Sequence, residues 1–156
     1  MDTLFNPMGR IGPAAFRNTA IILILIGACI GVLPALAPAL TFWTYLAMVL
    51  IYPWAVIWVK RFHDAGKSGK WFLAVFVAWL AVGSLASWFI STRFAPAMPA
   101  KPEPGQIWAL MAARIQAVAL PGAIASAVIS LAFALVINEE LKSDPNENSY
   151  GPPTAK

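Results

Sequence analysis

Residues 60–70 read KRFHDAGKSGK. His63 and Asp64 are side chains of the type that trade protons in general acid–base catalysis, and Ser68 is a potential nucleophile four residues on. A nucleophile, its base and the group that orients the base must meet in three dimensions, which sequence neighbours rarely do. Gly66-Lys67-Ser68 resembles the end of a phosphate loop, but that pattern needs glycine at position 61, which is Arg61, and a strand before it. Catalysis by His63 and Asp64 at a membrane surface is therefore the runner-up reading.

Charge supports a different chemistry. Lys60, Arg61, Lys67 and Lys70 stand against the single acid Asp64. Each cation near an anionic membrane surface contributes about 1 kcal/mol of attraction. The stretch can bind anionic phospholipid headgroups, or dock a membrane or cytoplasmic protein. It also reads as a plain polar hinge. Asp64 would accept a nearby backbone N–H, Gly66 would supply a positive φ, Ser68 would cap the next helix, and Lys60 and Arg61 would snorkel to the interface.

Metal and cofactor chemistry is not expected. Cys29 is the only cysteine and His63 the only histidine, which rules out an internal disulfide and any site built from several cysteines or histidines. No nucleic-acid partner is expected.

The elements that must position the stretch are apolar. Of the 156 residues, 60% are hydrophobic and 12% charged, where soluble domains carry about a quarter charged residues. The reading is an all-α polytopic membrane protein with four transmembrane helices, at about 14–36, 41–59, 71–90 and 120–138. A cytoplasmic segment 1–13 precedes them, and a polar tail 139–156, with no core-forming pattern, follows and is expected to be disordered. Pro13 suits the first position of the first span, and Pro53 predicts a kink in the second. Residues 107–137 are too long for one perpendicular span, so Pro121-Gly122 is read as a break after a short interfacial helix at 107–117. Ala35-Leu36-Ala37 looks like a signal cleavage site, but the proline that follows, Pro38, argues against cutting there.

Basic residues set the orientation. The connection around Pro38 has none, whereas 60–70 has four. With both termini cytoplasmic the inner side collects eight Lys and Arg and the outer side three. Trp54, Trp58 and Trp71 are placed at the inner interface by the same scheme. The uncharged runs at 18–33, 41–59, 71–90 and 120–138 hold no Asp, Glu, Lys, Arg or His, which disfavours an ion-coupled carrier and leaves a small channel or carrier as the third class. Small residues recur at four-residue spacing: Gly27 and Gly31 in the first span, Gly83 and Ser87 in the third, Gly122, Ser126 and Ser130 in the fourth. Such stripes let helices approach closely, within one bundle or in a homodimer.

A basic pair, an apolar residue, then HD, a variable residue and GKSG, together with Gly9-Arg10-Ile11 ahead of the first span, resembles the signature of a bacterial inner-membrane family catalogued as domain of unknown function 805. The chain departs from that pattern at Pro13, Arg17 and Lys70. The resemblance implies a small helical protein of the bacterial cytoplasmic membrane and implies no activity. Its matching residues are Gly9, Arg10, Arg61, His63, Asp64, Gly66, Ser68 and Gly69. With Arg10 and Asp64 on one membrane face, an ion pair between them is expected.

Overall fold

The computed structural model describes residues 2–154; Met1, Ala155 and Lys156, the last one of the eight inner-side cations, lie outside the described residues. The described chain is helical, with no strand beyond an isolated bridge between Asn148 and Gly151. A short α1 (Asp2–Phe5) precedes α2 (Pro13–Leu36). A 3-10 segment (Pro38–Leu50) runs into α3 (Ile51–Asp64), and α4 (Trp71–Phe94) and α5 (Ile107–Glu140) complete the bundle. Four segments are long and apolar enough to cross a membrane: Pro13–Leu36, Pro38–Asp64, Trp71–Phe94 and Pro104–Glu140. The protein is an all-α polytopic membrane protein.

Pro13 opens α2 as its first residue, where its missing N–H leaves no hydrogen bond unmade. The second span differs from a single α-helix with a kink. Residues 38–50 wind as 3-10 helix, and α geometry begins only at Ile51. Pro53 has no N–H to give to the Val49 carbonyl four residues back, so the α ladder lacks a rung where the winding changes.

The expected break at Pro121-Gly122 and the separate interfacial helix are absent. Ile107–Glu140 is one helix with Pro121 inside it. Its 34 residues cover about 51 Å, roughly 20 Å more than the hydrocarbon requires. Membrane helices tolerate proline because neighbouring groups make good the lost bond. The surplus first turns are tied down where Arg114 donates to the Pro96 carbonyl in the connection after α4.

The helices run alternately up and down, so one end of the bundle gathers the start of α2, the end of α3, the start of α4 and the end of α5. Here α2 packs chiefly on α5, and α4 leans on α5 with a lesser contact to α3. The core lies at this end: Ile11, Phe16, Ala20, Leu23, Ile57, Trp58, Phe62, Ala134 and Leu141 form one buried cluster. Phe16 meets Trp58 edge-on at 4.7 Å between ring centroids. Trp58 is thus a core residue and not the interfacial anchor that its position suggested, because its spacing from Phe62 puts it on the inward face of α3.

Candidate functional site

The polar site sits on top of that core, and Asp64 is its centre. As the last residue of α3 it is completely buried. One carboxylate oxygen, Oδ1, accepts from Arg10 Nε at 3.2 Å and from Thr154 Oγ1 at 2.8 Å. The other, Oδ2, accepts from Arg61 Nη1 at 2.8 Å and from the Ser143 hydroxyl. The expected Arg10–Asp64 ion pair is present, and Arg61 makes a second. The carboxylate does not take a local backbone N–H, as a plain hinge would have it; its four donors come from the N-terminal segment, α3 and the tail.

Two guanidinium groups around one carboxylate leave an excess positive charge, and carbonyl oxygens absorb it. Arg10 donates to the carbonyls of Asp64, Asp144, Asn146 and Gly151. Arg61 donates to the Asn138 side chain at 2.6 Å and to the carbonyls of Asn138 and Leu141. Those carbonyls belong to the C-terminal end of α5, the negative end of the helix dipole, where a cation is favoured. Asn138 closes the ring by donating to the Pro13 carbonyl at the start of α2. Among the described residues no buried side-chain nitrogen or oxygen lacks a partner. Burying charge is costly unless every group is paired, and here it is.

His63 is enclosed separately. Its Nδ1 lies 3.2 Å from the Gly9 carbonyl, which makes that nitrogen the donor. The ring stacks on Tyr150 at 3.7 Å and 3°. Gly9 presents its carbonyl from a positive φ of 84°, which glycine adopts without strain. At Gly69 a Cβ would lie 2.7 Å from Val59 and 3.1 Å from His63 Nε2, so only glycine fits beneath the imidazole. Gly66 has the positive φ expected of it. Ser68 does not cap α4; its hydroxyl accepts the Lys70 N–H within the turn.

The tail is the largest departure from expectation. Residues 141–154 lie in a defined conformation against the site instead of running free. Asp144 donates its N–H to the Asp64 carbonyl at 2.8 Å, and the Asn148 side chain donates to the His63 carbonyl. Asp144 and Asn148 each bend the chain by accepting the N–H two residues on, at Asn146 and Tyr150. Composition does not mark this because, beyond Leu141, the tail gains its order from polar partners. The turn formers in SDPNENSYGPP were the available signal.

The candidates thus divide. Arg10, Arg61 and Asp64 are consumed by the clamp, and Lys60 is buried as well, so none of these four is presented to a headgroup. Gly66, Lys67, Ser68 and Lys70 stay exposed on the α3–α4 turn. Among the packing candidates, Gly31 makes a close approach, with a Cβ there meeting Ala123 at 3.2 Å. Gly27 has ordinary room, and Gly83 and Gly122 face open space. Ser87 and Ser126 line a groove between α4 and α5, and Ser130 accepts from the Trp79 indole at 3.0 Å.

No curated protein and no solved structure matches the chain. The family model described as "Protein of unknown function (DUF805)" matches residues 4–152, a range that takes in Arg10, the 60–70 turn and almost all of the tail folded over them. The chain belongs to the DUF805 family.

Proposed function

We propose that the protein is a non-enzymatic component of the bacterial inner membrane that binds anionic phospholipid headgroups at its cytoplasmic face, through Lys67 and Lys70. One observation carries the reading: the clamp holds the α3–α4 turn from beneath while these two lysines stay exposed on it. The excess of basic residues at this end favours the cytoplasmic side. Arg17, exposed in the early turns of α2, adds a cation to the same end, whereas Lys142 is offset by the exposed Glu139, Glu140 and Glu147.

The surroundings of both side chains weigh against acid–base catalysis by His63 and Asp64. The carboxylate is occupied by four donors, and the imidazole is held by Gly9 and covered by Tyr150. Asp64 is closed to a substrate, and the half-buried His63 ring has one face taken by Tyr150.

The test is binding of the purified protein to vesicles of phosphatidylglycerol and phosphatidylcholine in varied ratio, wild type against Lys67→Gln/Lys70→Gln. Lys60 and Arg61 are left unchanged because both are buried. Two lost cations remove about 2 kcal/mol, roughly thirtyfold in affinity for the anionic surface. Unchanged preference for phosphatidylglycerol in the variant would sink the headgroup reading and turn the search to a docking protein.

A further inference from the structure

Between the spans lies a cavity of about 400 Å3, within the roughly 300–1,000 Å3 range of small-ligand sites. Gly27 of α2, Trp54 of α3, Phe72, Phe76 and Trp79 of α4 and Ser126 of α5 are among its walls. The walls are overwhelmingly apolar, and the serine hydroxyl at Ser130 is already engaged by Trp79. Such a space does not hold water well. At hydrocarbon depth the available filler is lipid.

We propose that this cavity holds one acyl chain of the anionic phospholipid whose headgroup rests on Lys67 and Lys70. The inference rests on the headgroup reading above and extends it to the rest of the same molecule. Two features connect the sites. Phe72, in the cavity wall, lies about 3 Å along the helix axis from Lys70 but on a different face, so the two sites share a depth and the lipid backbone would pass around the start of α4 to join them. Trp79, Gly122 and Ser126 also line the second space of about 500 Å3 between α4 and α5, which Gly83 and Ser87 border. The two spaces therefore adjoin along shared walls, and the second supplies the sideways route that the proposal needs for a chain arriving from the bilayer. A phospholipid is the ligand that places an anion at the turn and a hydrocarbon chain in the slot below it.

The test is native mass spectrometry of the protein taken from phosphatidylglycerol and phosphatidylcholine vesicles into detergent. Wild type should retain one phosphatidylglycerol. Gly122→Leu/Ser126→Leu fills the slot from a position where added atoms meet open space, and should reduce retention at least tenfold. Lys67→Gln/Lys70→Gln should retain one phospholipid but lose the preference for phosphatidylglycerol. Wild-type retention in the filled variant overturns the slot. Loss in the filled variant beside unchanged headgroup preference in the lysine variant overturns the headgroup reading alone. Unmutated protein supplies a check that does not depend on a variant folding. Phosphatidylglycerol with a photoreactive acyl chain, after removal of bulk lipid, should crosslink to Trp54, Phe76 and Ser126. Crosslinks confined to outward residues such as Leu73 and Val77 would overturn the proposal.

Discussion

At the Asp64 end of the bundle, Phe16, Ile57, Arg61 and Asp64 have lost contact with solvent, and four separate stretches of chain meet. Along α4, Ile90 alone is buried among 24 residues, and Gly83 faces open space. The two regions are stabilised differently. Hydrocarbon solvates an apolar helix as well as a protein interior does, so α4 needs little packing to persist. Charged groups have no such alternative and must bring every partner with them. Order in this molecule follows the location of its charge more closely than the location of its apolar residues.

The comparison is broken most severely at Asp64. Asp64→Ala strands the Arg61 guanidinium in a buried site and should cost about 3–5 kcal/mol, read as thermal or denaturant unfolding in micelles. Arg10→Ala should cost less, roughly 1–3 kcal/mol, because Arg61, Ser143 and Thr154 still satisfy the carboxylate. Exchanging the charges of Arg10 and Asp64 together should not rescue stability, since Arg61 would then face an arginine. Full rescue would reduce the clamp to a single ion pair.

A milder contrast comes from glycine. Gly31→Val forces α2 away from Ala123 and should destabilise by about 1–3 kcal/mol, whereas Gly83→Ala should be neutral or gain up to about 1 kcal/mol of helix propensity. Equal losses at the two positions would mean that α4 is packed as tightly as α2.

The smallest effect concerns the tail. The Asp144 carboxyl is held below its ordinary value, first by the Asn146 N–H, then by the Asn148 side chain, with the Arg10 charge adding. A depressed carboxyl contributes its stabilisation in full above the ordinary pKa of about 3.9 and loses it as pH falls through the lower folded value. Amide resonances of residues 144–150 should therefore shift below about pH 4 while those of α2 stay fixed. Asp144→Asn should abolish that response, and a response that survives it would assign the change to another group.

Much of this was legible in the residues. Long uncharged runs mark four spans, and the sequence puts Gly9-Arg10 and His63-Asp64 at the same end, where the ion pair forms. What stayed hidden shares a physical cause. Arg10 and Arg61 bind mostly backbone carbonyls, which every residue possesses and no sequence pattern marks. The small residues of α4 and α5 suggest contacts, but the same lack of bulk that permits close approach also leaves a groove where side chains do not fill it. The unbroken course of α5 through Pro121 and the 3-10 winding of 38–50 depend on neighbours that local propensity does not include.

The clamp also has a direction in time. Arg10 leaves the ribosome more than a hundred residues before the carbonyls of Asp144, Asn146 and Gly151 that receive it. Until α5 and residues 143–154 are made, Arg10 and Asp64 lack most of these partners. A chain that stalls or is cut before Ser143 can thread its spans yet cannot close that end. The clamp thus closes only once α5 and residues 143–154 are in place.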